Sequence, residues 1–178
     1  MKIEELSLSP ITESSLSRVL SHVHNRYLGM ISASRGENTP EQNDKATREL
    51  KNDIRSAGFG FINVLGSYIE NAGTEEERKV SERSFLVIGK NENDSGNMVG
   101  FLMKEGSRFN QETVFYKPYD ETHGYLYFMN GEGPIDVGTF HPMKIGDYYS
   151  EMKGKEFSFT SLNEEAGFFN KWAKSIKE

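Results

Sequence analysis

The stretch that decides the fold comprises two apolar segments, GFGFINVLGSYIE at Gly58–Glu70 and SFLVIG at Ser84–Gly89. Phenylalanine, isoleucine, valine, leucine and tyrosine dominate both segments, and glycine, asparagine and serine bound them, which is typical of β-strands. SFLVIG is a short continuous apolar run, which favours a central strand covered on both faces. We therefore predict that Leu86 and Ile88 are fully buried. The first segment exceeds the usual strand length of about 5–6 residues, so we predict a bend or bulge at Gly66.

The composition limits the class of protein. The chain has 178 residues, which predicts a single globular domain over residues 1–178. Acidic residues number 27 against 21 basic ones, which argues against nucleic acid as a partner, because that affinity comes largely from lysine and arginine. The absence of cysteine excludes disulfides, thiol catalysis and cysteine-based zinc sites. The N-terminus lacks the apolar core of a secretory signal and no apolar run approaches ~18 residues, so we expect a soluble, cytoplasmic protein with no membrane association.

A strand, a helix and a second strand are predicted in the first half of the chain. Met30–Ser34 is a short strand, and TPEQ at Thr39–Gln42 is typical of a helix start with a capping box and a proline at the first helical position. The helix ends at Gly58, and the strand Phe59–Glu70 follows it. These elements predict a βαβ unit with parallel strands. An earlier amphipathic helix is predicted over Leu16–Tyr27.

The second half of the chain is predicted to alternate between strands and helices. With the first half, it predicts an α/β to α+β fold with a mixed central sheet of about five to six strands and helices packed on its faces. The predicted elements are a helix over Met98–Phe109, strands over Glu112–Lys117 and Tyr125–Asn130, a glycine-rich connection over Gly131–His141, a short helix over Pro142–Met152, an edge strand over Glu156–Thr160, and a final amphipathic helix that docks Trp172 on the body of the protein.

The predicted topology brings polar residues from several elements to one edge of the sheet. The carboxyl ends of the first two strands share that edge, and the chain returns to it before the strands that begin at Ser84 and Glu112. Ligands of open α/β sheets bind at such an edge, and residues that precede a helix N-terminus favour an anion. The predicted ligand-binding residues are Arg35, Glu37, Asn38, Tyr68, Glu70, Glu82, Arg83, Asn110, Gln111 and His141.

Three roles for this edge stay open from the sequence. The charged side chains could form a purely structural salt-bridge network, they could bind a ligand, or they could catalyse a reaction. Paired glutamates with His141 suit acid–base chemistry, but no dinucleotide fingerprint, phosphate-binding lysine motif or nucleophile elbow is present. The spacing of the carboxylates requires no metal, so no metal site is predicted, and the catalytic residues and any cofactor stay unknown.

Several short motifs together resemble small uncharacterised proteins of tailed bacteriophages. The motifs are ISASRGEN, GFGF, GSYIEN, ERSFLVIG, FNQETV and TFHP, and they fall within Met30–Pro142. Their order is more distantly similar to a bacterial domain family of unknown function. The resemblance implies a phage origin and a shared polar edge, and it implies no particular activity or catalytic residue.

These observations lead to three functional hypotheses. The first is a bacteriophage accessory protein of unknown activity that binds a protein partner or a small anionic ligand at the polar edge, with Arg35 and Arg83 as an anion clamp. The second is a small hydrolase or transferase acting on a phosphorylated or nucleotide substrate. The third is a virion-associated structural protein. The expected location is the cytoplasm of an infected bacterial host or the virion, and the oligomeric state is not predicted.

Overall fold

The computed structural model describes residues 25–70, 74–89, 95–141, 149–152 and 155–160. The predicted C-terminal helix with Trp172, and nearly all of the predicted helix over Leu16–Tyr27, lie outside these ranges, and the prediction of a single domain stays a prediction. None of the described helices is long and apolar enough to cross a membrane. The helices are α1 (Pro40–Ser56) and α2 (Ser95–Arg108), and the strands are β1 (Leu28–Ser32), β2 (Gly60–Glu70), β3 (Arg78–Ile88), β4 (Thr113–Lys117), β5 (His123–Phe128), β6 (Ile135–His141), β7 (Tyr149–Met152) and β8 (Lys155–Thr160).

The strands form a closed barrel in the order β1-β3-β2-β7-β8-β6-β5-β4. With α1 and α2 added, the α+β fold class is confirmed. The sheet differs from the predicted mixed sheet of five to six strands, because the described pairings are all antiparallel and eight strands take part. The physical reason is that most consecutive strands are joined as hairpins, and two strands joined by a hairpin pair antiparallel.

The predicted βαβ unit is present in a split form. β1 and β2 each pair antiparallel with β3, and Ser32 of β1 and Val64 of β2 both lie opposite Ser84. β1 and β2 therefore run in the same direction, as predicted, but β3 lies between them. The split arises because β2 and β3 form a hairpin that pairs along 11 residues of each strand. β4 also runs parallel to β3, as predicted, with β1 between the two.

Two segments predicted to be a loop and a helix are strands. The predicted connection Gly131–His141 contains β6, and residues 149–152 of the predicted helix form β7. Gly138 has φ 94 and lies where the register between β5 and β6 shifts, so this glycine marks a bulge and not a loop. The predicted edge strand, β8, pairs with both β6 and β7. In these segments, pairing with strands that are distant in sequence outweighs the local signals, which are the glycine content and the spacing of apolar residues.

The two faces of the strands carry two sets of buried side chains. The inner face lines the barrel, where Leu28 lies opposite Ile88, and neither these residues nor Leu86 have exposed surface. The predicted burial of Leu86 and Ile88 is therefore confirmed. The outer face of β1, β2 and β3 packs beneath the helices in a cluster that includes Leu50, Ile54, Met98 and Leu102.

Candidate functional site

The predicted start of α1 is confirmed. The backbone N–H of Gln42 donates to Oγ1 of Thr39 at 3.2 Å, and the N–H of Thr39 donates to Oε1 of Gln42 at 2.8 Å, which completes the capping box. Pro40 occupies the first turn. Two backbone N–H groups at this end of α1 are therefore satisfied by the helix's own side chains, which leaves fewer free donors for an anion than a bare N-terminus offers.

The loop before α1 is held by Asn43, a residue that the sequence analysis did not select. Its Oδ1 accepts from the backbone N–H of Arg35 at 2.9 Å, and its Nδ2 donates to the carbonyl of Arg35 at 3.0 Å. Nδ2 of Asn38 donates to the same Oδ1 at 3.2 Å. The backbone of Arg35 is therefore fixed against the first turn of α1. The available signal was an asparagine early in a helix, where its side chain can bond to the preceding loop.

The end of α2 is a Schellman motif that brings two further predicted residues to the same place. The N–H of Gln111 donates to the carbonyl of Gly106 at 2.8 Å, and the N–H of Asn110 donates to the carbonyl of Ser107 at 3.2 Å. Asn110 has φ 53 and is the one non-glycine residue with positive φ in the described part of the chain. Asparagine tolerates this left-handed conformation better than most residues, so α2 can end here without a glycine.

The side chain of Arg35 joins these two elements. Its Nε donates to Oε1 of Glu37 at 2.8 Å, and its Nη1 donates to the carbonyl of Asn110 at 2.5 Å. The guanidinium therefore lies at the carboxyl end of α2, where the helix dipole favours a cation. The hydrogen bond from Arg35 lowers the pKa of the Glu37 carboxyl, which keeps this carboxylate ionised at neutral pH. The Arg35 side chain is 31% exposed and that of Glu37 is 64% exposed, so a dissolved ligand can reach both.

Gln111 completes the arrangement. Its Nε2 donates to the carbonyls of Ser34 and Phe109, each at 3.2 Å, so its side chain bridges the end of α2 to the segment that follows β1. We call the set Arg35, Glu37, Asn43, Asn110 and Gln111 the Arg35 corner. The structure thus brings together four of the predicted residues with Asn38 beside them, and adds Asn43.

Arg83 lies near this corner but has a separate partner. It forms an ion pair with Asp44 of α1, and its carbonyl accepts from Oγ of Ser32 at 2.9 Å. The two arginines therefore do not converge on one point through the described contacts, because α1 supplies a carboxylate to Arg83. The predicted anion clamp of Arg35 and Arg83 is not assembled in this arrangement.

Three other predicted residues lie along the β2–β3 hairpin. The predicted loop before Ser84 is part of β3, so the hairpin continues past the level of Ser32. Glu82 lies opposite Gly66, Tyr68 opposite Val80 and Glu70 opposite Arg78. At a rise of about 3.3 Å per residue, Glu70 is ~20 Å along the strand from the level of Ser32. The extended hairpin therefore carries Tyr68 and Glu70 away from the end of β1.

His141 is the last residue of β6 and lies away from the Arg35 corner. The glycine-rich composition of the segment before His141 predicts a loop that returns to the edge. In the structure β6 runs from Ile135 to His141, and Thr139 lies opposite His123 at the start of β5. Because Thr113 lies opposite Phe128 at the other end of β5, β6 leads away from the Arg35 corner and His141 lies at its far end.

A buried lysine lies at the far end of β4, and the sequence analysis did not select it. Lys117 lies opposite Leu28, on the face that lines the barrel, and has no exposed surface. Its Nζ donates to the carbonyls of Pro118 and Glu121, the latter at 2.7 Å. Burial lowers the pKa of Lys117 to about 8. The available signal was its inward position in the alternating strand Thr113–Lys117.

Two polar pairs lie beside this lysine on β5 and β6. Nδ1 of His123 lies 2.8 Å from Oδ2 of Asp136, and the Tyr125 hydroxyl donates to Oε2 of Glu121 at 2.5 Å. The hydrogen bond with Glu121 raises the pKa of Tyr125 to about 12. These pairs are exposed and well separated along the strands from the Arg35 corner. Among the residues with described side chains, no group of three or more could hold a metal ion.

Comparison with known proteins assigns the family. The S-adenosylmethionine lyase family model matches residues 29–169, which is most of the chain. This chain belongs to the S-adenosylmethionine lyase family. The matched segment of this lyase-family chain contains the whole Arg35 corner and the second polar region around Lys117.

The solved structures give a more distant likeness. One of them is titled as a phage SAM lyase in complex with S-methyl-5'-thioadenosine, and this chain is 16% identical to it with a TM-score of 0.32. The similarity covers 63% of this chain and 87% of that chain. A comparison with curated proteins gave no match.

Membership of a lyase family corrects the three functional hypotheses. A phage accessory protein of unknown activity, a hydrolase or transferase of phosphorylated or nucleotide substrates, and a virion-associated structural protein are all overturned by the family match. The error arose because the arginines at the edge were interpreted as residues that bind an anion, and this interpretation does not identify the substrate or the reaction. The implied "unknown function" of the phage resemblance is likewise wrong, since the family is named for a reaction of S-adenosylmethionine.

Proposed function

We propose that this chain is an enzyme that cleaves S-adenosylmethionine by a lyase reaction, and that the Arg35 corner binds the amino-acid end of the substrate. The observation that carries the proposal is the match of the lyase family over residues 29–169. That segment includes β1, the start of α1 and the end of α2, which are the elements that build the corner.

The chemistry of the substrate limits what the protein must supply. Its sulfonium is a good leaving group, and breaking the bond from sulfur to Cγ returns the electron pair to sulfur as the neutral thioether S-methyl-5'-thioadenosine. In one route the substrate's own carboxylate oxygen bonds to Cγ as the bond to sulfur breaks, which gives homoserine lactone. Alternatively, a base removes a proton from Cβ and a double bond forms, which gives vinylglycine. Neither route consumes water, so both are lyase reactions.

Arg35 and Glu37 offer complementary charges to an α-amino acid group. The guanidinium has the fork of donors that suits a carboxylate, and Glu37 is ionised and suits an ammonium. Substrate and protein can therefore exchange partners, with the ligand carboxylate replacing Glu37 on Arg35 and the ligand ammonium binding the released Glu37. The exchange keeps each charge paired. This pairing matters because an unpaired charge in a partly desolvated site is costly.

The reaction removes the positive charge of the sulfonium, and this favours a site shielded from water. Charge is more dispersed in the transition state than in the substrate, so a medium of low dielectric constant destabilises the substrate more than the transition state.

Gln111 holds a neutral amide beside Arg35, bonded to the carbonyl of Ser34. We assign it the role of orienting the amino-acid end without adding a further charge.

The test is to incubate the purified chain with S-adenosylmethionine and to identify both products by mass spectrometry. Formation of S-methyl-5'-thioadenosine with homoserine lactone or vinylglycine is the expected result. In water labelled with ¹⁸O, a hydrolase would place the label on the hydroxyl oxygen of homoserine, and a lyase would not. No loss of substrate under any condition, or labelled hydroxyl, would refute the proposed reaction.

The location of the site is tested with variants of the Arg35 corner. Arg35→Ala should lower kcat/KM by roughly 10- to 150-fold, since a hydrogen bond to a charged group contributes about 1.5–3 kcal/mol. Gln111→Ala should lower it by roughly 2- to 12-fold, the range for a neutral hydrogen bond. The matched control is Arg48→Ala, which removes the same charge from an exposed position on α1. Activity in both corner variants equal to that of the control would show that the site lies elsewhere.

The proposed site includes only some of the predicted ligand-binding residues. Asn38 lies beside the corner, bonded to Asn43, whereas Glu82, Arg83, Tyr68, Glu70 and His141 lie outside it. The ligand proposed here is a small molecule whose carboxylate is its anionic group, and whose net charge is positive. We place the enzyme in the cytoplasm of a phage-infected bacterium, which the resemblance to phage proteins supports.

A further inference from the structure

One charged side chain ties the two helices together just before the Arg35 corner. Arg108 is in the last turn of α2 and forms an ion pair with Asp53 of α1. Its Nη2 also donates to Oε2 of Glu49 at 3.3 Å, and its Nη1 donates to Oε2 of Glu105 at 3.1 Å. The guanidinium carbon lies 4.8 Å from the ring centroid of Phe109, which covers one side of the group.

Glu105 explains why Arg108 is needed at this position. It follows Met98 and Leu102 on the buried face of α2, and its side chain is 2% exposed. A buried carboxylate is costly unless it is paired, and Arg108 supplies the nearer of its two cationic partners, with Lys104 at 3.5 Å. The same guanidinium then reaches α1, so pairing of the buried charge and contact between the helices depend on one residue.

The link to the proposed site is the order of residues at the end of α2. Phe109, Asn110 and Gln111 follow Arg108 directly, and the Schellman bonds from Asn110 and Gln111 return to the last turn of the helix. The position of that turn therefore sets the positions of Asn110 and Gln111. The opposite half of the corner, Arg35, is fixed to α1 through Asn43. The two halves adjoin different helices, and Arg108 bridges those helices.

We propose that Arg108, together with Asp53 and Glu49, is a positioning network that holds the end of α2 against α1 so that the side chain of Gln111 faces Arg35. The proposal rests on the proposed function of the corner. The network acts through Gln111 and does not contact the substrate. It therefore sets the geometry of the amino-acid subsite from residues that a list of ligand contacts would omit.

The variants for the test keep Glu105 paired. Arg108→Ala would leave that buried carboxylate short of its main partner, so the test uses the double variant Glu49→Gln/Asp53→Asn, which removes only the two α1 carboxylates that pair with Arg108. The control is Lys45→Gln, because Lys45 pairs with Glu49 at 3.9 Å within α1 and does not reach α2. Mutations in networks that do not contact the ligand change the coupling between distant sites by amounts that correspond to roughly 2- to 30-fold in affinity or rate.

The expected result is a fall of about 2- to 30-fold in kcat/KM for S-adenosylmethionine in the double variant, and no fall in the control. In a Gln111→Ala background the double variant should have no further effect, because the network acts through that side chain. A purely structural role would lower the melting temperature without this dependence on Gln111. An equal fall in kcat/KM with and without Gln111, or no fall at all in an active enzyme, overturns the proposal.

A second measurement separates this proposal from the proposed function. Hydrogen exchange of the backbone N–H of Gln111, which bonds to the carbonyl of Gly106, reports the end of α2 without any substrate. We expect exchange of this amide to be faster in the double variant than in the wild type and the control. If the wild type does not cleave S-adenosylmethionine, the proposed function fails while faster exchange still supports the network. Unchanged exchange in the double variant overturns the network whether or not the enzyme is active.

Discussion

The buried ammonium of Lys117 makes the stability of this fold depend on pH with a defined sign. Burial lowers the pKa of Lys117 from 10.5 to about 8. Between these two values the unfolded chain still holds the proton that the folded chain has released, so the free energy of unfolding rises with pH across the window. A difference of about 2.5 pH units, at ~1.36 kcal/mol for each, gives a rise of ~3 kcal/mol.

The tyrosines near Lys117 set the upper limit of the assay. Burial raises the pKa of Tyr116 to about 12, and the hydrogen bond with Glu121 raises that of Tyr125 to about 12. A tyrosine whose pKa is raised by folding contributes stability that is fully present below about pH 10 and is lost as the pH rises toward about 12. The contribution of Lys117 is therefore measured from about pH 7 to about pH 10, before the tyrosines oppose it.

The assay is urea unfolding across this range for the wild type and for Lys117→Met. Methionine has a similar length and does not titrate, so the variant should lose the rise between about pH 8 and pH 10. Equal unfolding free energies of the wild type at both ends of that range would refute the reasoning. Such a result would show that the carbonyls of Pro118 and Glu121 stabilise the ammonium as well as water does. An equal rise in Lys117→Met would assign the effect to another group.

Three further predictions concern packing and backbone conformation. Ile88→Ala should lower the free energy of unfolding by about 2–5 kcal/mol, because the side chain is fully buried, whereas exposed Leu65→Ala on β2 should change it by less than about 0.5 kcal/mol in the same denaturation assay. Gly124→Ala should cost about 1–3 kcal/mol, because a Cβ there would lie 2.1 Å from the buried ring of Phe115, and Gly133→Ala, where the Cβ meets nothing within 4 Å, is the control for thermal unfolding. Asn110→Ala should cost about 1–2 kcal/mol through its left-handed backbone while Asn110→Gly should not, and an equal loss in both variants would assign the effect to the side chain.

The parts of the fold that could be predicted are those specified by local chemistry. Thr39, Pro40 and Gln42 mark the start of α1, and a capping box depends only on residues within one turn. The continuous apolar run at Ser84–Gly89 predicted a central strand. The directions of β1, β2, β3 and β4 followed from the helices predicted between β1 and β2 and between β3 and β4, and from an expected antiparallel return between β2 and β3. The position of β3 between β1 and β2 could not be predicted, because β1 can pair with either strand of the β2–β3 hairpin and the local sequence does not decide between them.

The candidate site could be predicted in part for the same reason. Arg35 follows β1, and Asn110 and Gln111 precede β4. Correct directions for these strands were therefore enough to predict that the three residues lie at the same edge of the sheet. His141 was misplaced because a glycine-rich stretch was interpreted as a loop, whereas Gly138 sits in a bulge of β6. Asn43 was missed because an asparagine early in a helix indicates only that its side chain can bond to the preceding loop, and does not identify Arg35 as the residue that it holds.

The function itself could not be derived from the residues, and the proposed reaction gives a physical reason. Catalytic motifs mark proteins that must supply a nucleophile, a metal or a covalent carrier, since those tasks require particular side chains at fixed spacing. In S-adenosylmethionine the sulfonium is already an activated leaving group, and in the lactone route the substrate's carboxylate is the nucleophile. What is left for the protein is to fold the substrate into a reactive conformation and to exclude water, a contribution that can reach about 7–11 kcal/mol for well-oriented intramolecular reactions. In the proposed site this positioning is assigned to ordinary residues such as Arg35 and Gln111, whose arrangement depends on the whole fold, and the family model accordingly matches the chain over residues 29–169.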